Sequence, residues 1–286
     1  MTLGQLLAEG TARLESAGIA EAALDARYLL LEAFDLSAGS FLLRRMDEIR
    51  DEDARNRYEE MLLQRCGRIP LQYILGSQMF MGLEFFVDER VLIPRQDTED
   101  LVELVLKEHL EKEKKILDMC TGSGCIAISL AKFGGYSQVT AVDISEGALE
   151  VTGENARRLI PAVSFDRIQS NLYENEEEIR KKAPEGYDVI VSNPPYIPTK
   201  VIEGLQPEVR DFEPKLALDG TADGLHFYRI LARESGRFLK KGGSLYLEIG
   251  HDQGEAVSGL LKEAGYTKIR VVKDTPGLDR IVTAII

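Results

Sequence analysis

The chain has 286 residues, a length that suits two domains. With 44% hydrophobic and 29% charged residues, its composition is typical of a globular protein. Its formal net charge of −13 argues against broad binding to nucleic-acid phosphates, which requires clustered lysine and arginine. The apolar runs are too short to span a membrane, and three cysteines without metal-ligand spacing indicate a reducing, cytoplasmic setting with no metal site.

Residues 1–75 are predicted to form a helical N-terminal domain. Small and apolar side chains recur there at helical spacing, as in Ala22, Ala26, Leu29, Leu30 and Ala33. The same region contains nine arginines, no lysine and 13 acidic residues. It is therefore a poor candidate for a DNA-reading module.

Residues 76–95 are predicted to form a β-hairpin linker. Aromatic and β-branched residues are frequent there, and Gly76 and Gly82 mark turns. A helix is predicted to begin near Asp97 or Thr98, because either side chain could cap it. Residues 96–286 are predicted to form the second domain.

Strand and helix patterns alternate from Lys115 to the end of the chain. The predicted strands are KILDMC, QVTAVDI, AVSFDRI, YDVIVSN, GSLYLEIG, KIRVVKD and DRIVTAII. Such alternation predicts a mostly parallel, Rossmann-like α/β sheet. Only TPGL separates the last two strands, which is too short for a crossover, so these two must be antiparallel. A mostly parallel seven-stranded sheet with one reversed strand is the arrangement of class I methyltransferases.

A glycine-rich loop follows the first strand of this predicted sheet. It contains Thr121, Gly122, Ser123 and Gly124. Glycines allow a ligand to approach the backbone, and Asp143 at the end of the next strand could bind both hydroxyls of a ribose. The spacing also satisfies the dinucleotide-binding fingerprint. Asp118 favours S-adenosylmethionine (SAM), because a carboxylate before the loop suits its ammonium group and would repel a pyrophosphate.

The sequence NPPY, residues 193–196, ends the fourth predicted strand at the sheet edge where ligands bind in open α/β folds. An amide or aromatic amine nitrogen is a poor nucleophile, because its lone pair is delocalised. To attack the sulfonium methyl group of SAM, it must be held with both N–H bonds engaged and its lone pair aimed at that methyl group. The Asn193 side-chain oxygen can accept one N–H and the Pro194 carbonyl can accept the other. Prolines stiffen the loop, and Tyr196 can stack on a planar substrate group. Both acceptors bind more tightly as the nitrogen gains positive charge, which stabilises the transition state.

Methyltransferases that act on adenine N6, cytosine N4 and glutamine N5 share this motif. The chain as a whole resembles the release factor glutamine methyltransferases (PrmC/HemK family). The similar segments are LIPRQDTE, LDMCTGSG, SNPPYIP, FEPKLALDG, DGLHFYR and LDRIVTAII. The resemblance implies methyl transfer from SAM to the side-chain amide nitrogen of the glutamine in the Gly-Gly-Gln motif of class 1 peptide chain release factors, the proteins of translation termination.

The resemblance also implies roles for individual residues. The catalytic residues would be Asn193, Pro194 and Tyr196. The substrate glutamine would be held by Asn193, Pro194, Pro195 and Tyr196, with Arg95 lining the site. SAM would be bound by Cys120, Thr121, Gly122, Ser123, Gly124, Asp143, Asn171, Leu172 and Asn193. The N-terminal helices would help to dock the release factor.

Three positions depart from the family pattern. The family commonly has Pro where Gln96 stands, Gly where Cys120 stands and Asp where Asn171 stands. Asn171 can still bond an adenine amino group through its oxygen, but it removes a negative charge near the sulfonium. Residues 198–220 carry few helix signals and three prolines, so we predict an irregular loop that serves as a lid or a partner surface.

Two other functions fit part of this pattern. A DNA adenine N6 methyltransferase would share Asn193 to Tyr196, but it would also need a target-reading region and a basic groove. A SAM-binding module without chemistry would share the glycine loop, but an intact NPPY motif argues against it. Direct nucleic-acid binding and membrane association are not expected.

Overall fold

The structure is a computed structural model that describes residues 1–136 and 138–286. The chain divides into two compact units. Unit 1 contains residues 1–77 and 206–212, and unit 2 contains residues 78–205 and 213–286. Within the described residues, no helix combines the length and the apolar character needed to cross a membrane.

Unit 1 is built from helices. Its helices in the N-terminal segment are α1 (Leu3–Ser16), α2 (Ala22–Ala33), α3 (Ala38–Arg44), α4 (Glu52–Cys66) and α5 (Leu71–Leu75). The predicted apolar stripe of α2 is confirmed, because Ala22, Ala26, Leu29, Leu30 and Ala33 are all buried. They share one core cluster with residues of α1 and α4. Burial of this apolar stripe stabilises the bundle.

The buried guanidinium of Arg65 connects two parts of unit 1 that are distant in sequence. Its Nε donates to Asp25 Oδ2 of α2 at 2.7 Å, and its Nη2 donates to Glu208 Oε1 at 3.0 Å. Glu208 lies in the short helix of residues 207–212 that belongs to this unit. Both acceptors satisfy a charge that would be costly to bury alone.

Unit 2 contains two sheets, apart from Ser77 at the start of the smaller one, and the helices that surround the larger one. Its strands are β1 (Ser77–Phe80), β2 (Leu83–Phe86), β3 (Lys115–Met119), β4 (Gln138–Asp143), β5 (Phe165–Gln169), β6 (Tyr187–Ser192), β7 (Leu239–Glu248), β8 (Thr267–Lys273) and β9 (Asp279–Ile285). The helices after α5 are α6 (Asp97–Glu108), α7 (Cys125–Ser129), α8 (Glu146–Leu159), α9 (Glu176–Lys182), α10 (Thr199–Ile202), α11 (Pro207–Phe212), α12 (Lys215–Leu218), α13 (His226–Glu234) and α14 (Gly254–Glu263), of which α11 belongs to unit 1. A π-helical turn, Leu130–Gly134, continues α7, and a 3-10 turn, Ser235–Arg237, follows α13.

The larger sheet has the predicted topology. Among the described residues it has seven strands in the order β5-β4-β3-β6-β7-β9-β8. The pairs from β5 to β7 are parallel, and β9 is antiparallel to both β7 and β8. The single reversed strand is therefore confirmed. Alternate residues face opposite helix layers, as period-2 strands require: Ile116 and Val189 lie in one core cluster, and Leu117 and Ile190 in the other.

The predicted hairpin is present as the two-stranded sheet of β1 and β2. Its turn residues Met81 and Gly82 both have positive φ, at 52° and 71°. Two consecutive positive φ values match the twist of a tight hairpin.

The helix α6 begins at Asp97, as predicted, but its cap differs from the prediction. Gln96 is the N-cap residue and no side chain caps the helix, so the predicted caps at Asp97 and Thr98 are wrong. Tertiary contacts occupy both side chains instead. Asp97 pairs with Arg280 at 3.0 Å, and the Thr98 hydroxyl accepts a hydrogen bond from Asn193.

The prediction of an irregular segment over residues 198–220 is also wrong. The segment contains the short helices α10, α11 and α12. Pro198 and Pro214 are N-cap residues, and Pro207 is the first residue of its helix. Proline is favoured at a helix start, where a backbone N–H has no intrahelical partner. The prolines that indicated a loop in fact begin helices.

Candidate active site

A cavity of about 250 Å³ lies in unit 2 at the carboxyl ends of the parallel strands. The predicted site residues that line it are Arg95, Cys120, Thr121, Gly122, Ser123, Asp143, Asn171, Leu172, Asn193 and Pro195. The other three predicted residues, Gly124, Pro194 and Tyr196, do not line it in the described part of the chain. The sheet edge therefore gathers the glycine loop, the Asp143 carboxylate and the Asn193 amide around one space.

The glycine loop has the backbone shape that its sequence predicts. Gly122 and Gly124 have φ of 55° and 80°. A Cβ at Gly124 would lie 2.8 Å from a methyl carbon of Thr152, so this glycine also permits close packing of α7 on α8. The Thr152 hydroxyl donates to the Gly122 carbonyl at 2.7 Å. The loop is therefore held open toward the cavity by contacts on its opposite side.

Asp118 fixes this loop from below. Its carboxylate is fully buried, and Oδ2 accepts hydrogen bonds from Thr121 Oγ1 at 2.6 Å and from the Ala127 N–H at 3.2 Å. Burial raises the pKa of Asp118 to about 7, against the opposing effect of these hydrogen bonds. Asp118 does not line the cavity in the described chain, and its Oδ1 has no hydrogen-bond partner there, so the expectation that it faces an ammonium group stays a prediction. Its role in the structure is to hold both ends of the loop.

Asp143 is the carboxylate that does reach the cavity. One oxygen accepts from the Gly122 N–H and the other from the Ser145 N–H, both at 2.9 Å. Burial raises the pKa of Asp143 above its usual value, and these backbone N–H groups counteract the rise. The Ile144 N–H also acts on this carboxylate, and because a carboxylate accepts about four hydrogen bonds, acceptor capacity remains for a ligand.

Two residues that line the cavity have an unusual backbone conformation, and a third has an exposed side chain. Cys120 and Leu172 are non-glycine residues with positive φ, at 64° and 49°. Cys120 packs against the buried cluster beneath the sheet edge. Asn171 is exposed, and its Nδ2 donates to Glu174 Oε1 at 2.8 Å, which leaves its side-chain oxygen available.

Arg95 is fixed by a buried carboxylate. It forms an ion pair with Glu213, whose side chain is 1% exposed, whereas that of Arg95 is 40% exposed. Glu213 also accepts from the Ile93 N–H at 3.2 Å. Burial raises the pKa of Glu213, and the Arg95 charge opposes this rise. The pair places a cation at the cavity wall.

The NPPY segment is anchored at both of its ends. The Ser192 hydroxyl donates to the Met119 carbonyl at 2.6 Å, and Gln253 Nε2 donates to the Tyr196 carbonyl at 3.1 Å. Gly224 packs so closely that a Cβ there would lie 2.3 Å from this carbonyl oxygen. Burial raises the pKa of the Tyr196 hydroxyl to about 12, although a hydrogen bond with Arg280 acts in the opposite direction.

Sequence reasoning missed the residues that support the motif. Thr98 was expected to be a helix cap but contacts Asn193, and Glu248, Gln253 and Gly224 were not considered. The signal for Glu248 was present, because it ends an apolar strand at the same edge as Asn193. Among the described residues, no cluster of histidine, cysteine, aspartate or glutamate is suited to holding a metal ion.

Comparisons with known proteins agree with this architecture. The family model described as "PrmC N-terminal domain" matches residues 5–76, and the one described as "Methyltransferase small domain" matches residues 96–204. A solved structure of a methyltransferase from Pyrococcus furiosus has a TM-score of 0.52 and 18% identity, and it covers 80% of this chain and 98% of its own. This likeness confirms the predicted methyltransferase fold.

Relatives over the whole chain are more specific. The release factor glutamine methyltransferase of Moorella thermoacetica is 42% identical over 99% of this chain and 98% of its own length. The protein of the same name from Geobacter sulfurreducens is 39% identical over 93% of this chain and 90% of its own. The chain therefore belongs to the family of release factor glutamine methyltransferases.

Proposed function

We propose that the protein transfers a methyl group from SAM to the side-chain amide nitrogen of the glutamine in the Gly-Gly-Gln motif of class 1 peptide chain release factors. One observation carries the proposal: Asn193 and the glycine loop face the same cavity. For methyl transfer, the residue that holds the substrate amide and the loop that binds the cofactor must face the same space. Membership of the family supports the choice of glutamine as the acceptor.

The residues present fit SAM. A Cβ built on Gly122 would meet no described atom within 4 Å, so the loop backbone borders open space that a ligand can fill. The remaining acceptor capacity of Asp143 suits the ribose hydroxyls, and Asn171 and Leu172 suit the edge and the face of adenine. The remaining contacts would come from Cys120, Thr121, Ser123 and Asn193, and Gly124 would give the loop its shape. When bound, SAM supplies an electrophilic methyl group carried on a sulfonium.

The chain's own residues would activate the glutamine by orienting it. The Asn193 side-chain oxygen and the Pro194 carbonyl would each accept one N–H of the substrate amide. As the nitrogen gains positive charge, both acceptors stabilise the transition state more than the ground state. Positioning of aligned reactants can contribute up to about 7–11 kcal/mol. Pro195 stiffens the segment, and Tyr196 and Arg95 would border the bound peptide.

The two units would divide the task. Residues 1–75 would help to dock the release factor, residues 76–95 would link the domains, and residues 96–286 would carry the methyl-transfer site. A cytoplasmic location would suit this substrate.

The test uses methyl-labelled SAM, the full-length protein and a class 1 release factor. We expect label on the release factor and none on a release factor whose Gly-Gly-Gln glutamine is replaced by alanine. Duplex DNA containing adenine serves as the alternative acceptor and should remain unlabelled at physiological salt. Label on the DNA, or equal label on both release factors, would contradict the proposal.

A further inference from the structure

The Asn193 amide has a polar neighbourhood on the side that faces the protein. Its Nδ2 donates to Thr98 Oγ1 at 3.4 Å, and the Glu248 carboxylate lies near enough to Thr98 and Asn193 that both groups lower its pKa. Ser192 pairs with Leu247 in the parallel register of β6 and β7, so Asn193 and Glu248 both lie one residue beyond this pair. The register of the sheet therefore sets these two side chains next to each other.

Glu248 is a carboxylate whose burial the rest of the fold does not explain. It is 1% exposed, and within the described chain its Oε2 has no hydrogen-bond partner. The charged groups that act on it are Arg280 and Asp97, and its charge in turn acts on Tyr196. Arg280 already pairs with Asp97 and with Asp274, at 3.0 Å and 3.1 Å. A buried polar group that is only partly satisfied calls for a specific reason.

An amide has two orientations of nearly equal shape, and only one is useful for holding a substrate N–H. With its NH2 group toward Thr98 and Glu248, Asn193 presents its oxygen on the opposite side. The reversed orientation would place the Asn193 oxygen against a carboxylate and against the oxygen of Thr98. An ionised carboxylate accepts hydrogen bonds and cannot donate them, so above the pKa of Glu248, about 7, it disfavours the reversed amide.

We propose that Glu248, together with Thr98, is a positioning residue that holds the Asn193 NH2 group toward the protein and the Asn193 oxygen toward the substrate glutamine. This inference rests on the proposed function. Thr98 can accept a hydrogen bond from Asn193 while it donates its own hydroxyl proton to Glu248. The three side chains would then form one hydrogen-bond series, which orients the Asn193 oxygen before the substrate binds.

A charge-exchange experiment tests the pair. In Asn193→Asp, one carboxylate oxygen can still accept the substrate N–H, but the other faces the Glu248 carboxylate. We expect kcat to fall about 100-fold, because residue 193 is no longer held in the orientation that binds the substrate amide. Glu248→Gln can donate an N–H to that oxygen. The double variant should therefore recover kcat at least about 10-fold over Asn193→Asp, a non-additive result that neighbouring groups produce. Glu108→Gln, which alters a carboxylate bonded to Tyr246 of β7, is the matched control and should give no recovery.

Recovery in the double variant without a change in KM supports positioning by Glu248. A double variant that is no faster than Asn193→Asp, or equal recovery with Glu108→Gln, would overturn the proposal. Thermal melting of each variant separates a loss of folding from a loss of kcat.

A second readout needs no release factor. Isotope-labelled asparagine gives NMR signals for side-chain NH2 groups, and the Asn193 signal is the one absent in Asn193→Asp. We expect slow solvent exchange of this group in the wild type and in Thr98→Ser, and about 10-fold faster exchange in Thr98→Val, because local opening controls exchange. Equal exchange in Thr98→Val and the wild type would overturn the proposal. A wild type that leaves the release factor unmethylated would instead count against the proposed function, and the exchange result would still decide the orientation of Asn193.

Discussion

Arg95 and Glu213 form an ion pair in which the carboxylate is almost fully buried and the guanidinium is partly exposed. The exposed cation opposes the rise in the pKa of Glu213 that burial causes, and it leaves its own remaining N–H groups free to meet a ligand. Arg95 stands before α6 and Glu213 before α12, so the pair joins two segments of the cavity wall.

We expect Arg95→Ala to destabilise unit 2. Removal of one partner of a fully buried pair costs about 3–5 kcal/mol, and the partial exposure of Arg95 reduces the expected cost to about 2 kcal/mol. The loss should be smaller at pH 5 than at pH 8, because the unpaired Glu213 can then bind a proton. Urea denaturation at both pH values measures it. The double variant Arg95→Ala, Glu213→Gln should recover most of the stability at pH 8, and a failure to recover would show that the ion pair is not the cause.

Asn193→Ala should reduce catalysis far more than cofactor binding. It removes an acceptor that binds the substrate more tightly in the transition state, so kcat should fall about 100- to 1,000-fold. The SAM dissociation constant, measured by calorimetry, should change by less than about threefold. Near-normal turnover with SAM in excess would show that Asn193 does not hold the substrate amide.

Asp143→Ala should have the opposite effect. Loss of hydrogen bonds from a carboxylate to the ribose, about 1.5–3 kcal/mol, corresponds to a 10- to 100-fold weaker SAM affinity. At saturating SAM, kcat should be affected much less than the affinity. Glu108→Gln, a partly buried carboxylate outside the cavity, is the control and should bind SAM normally. Unchanged SAM affinity in Asp143→Ala would remove Asp143 from the cofactor site.

We expect Glu248 to make the free energy of unfolding depend on pH. Burial raises its pKa from the ordinary value of 4.5 to about 7, so the folded state binds a proton more tightly than the unfolded state. Its contribution to stability is therefore fully present below pH 4.5 and is lost as the pH rises through about 7. In urea denaturation, Glu248→Gln should gain stability relative to the wild type between pH 5 and pH 8. Parallel curves for the two proteins would show that Glu248 does not titrate in this range.

Cys120 stands at a backbone conformation that favours glycine, with φ of 64°. A left-handed conformation costs a non-glycine residue about 1–2 kcal/mol. Cys120→Gly should therefore leave the unfolding free energy within about 1 kcal/mol of the wild type, since relief of this cost offsets the lost packing. Cys120→Val should lose about 2 kcal/mol, because a β-branched side chain tolerates positive φ poorly. Equal stability of the glycine and valine variants would contradict this account.

The fold was predictable where local pattern and topology determine it. The stripe of Ala22, Ala26 and Leu29 fixed one helix face, and the short link TPGL required the antiparallel pair of β8 and β9. Glycines at positions 122 and 124 identified the loop at the end of β3. Each of these features depends on residues that are close in sequence.

The parts that were wrong depend on contacts across the fold. Thr98 has the chemistry of a cap, but the sheet brings Asn193 to its hydroxyl. Pro207 and Pro214 are residues typical of turns, but in the structure both stand at the start of a helix. The roles of these residues depend on tertiary contacts with residues that are distant in sequence.

Mass spectrometry of a release factor after reaction with this protein and SAM tests the central claim most directly. The account predicts one added methyl group, located on the side-chain amide of the Gly-Gly-Gln glutamine, and its loss when the Asn193→Ala variant is used. A methyl group on any other residue, or an unmodified glutamine after complete incubation with the wild type, would contradict it.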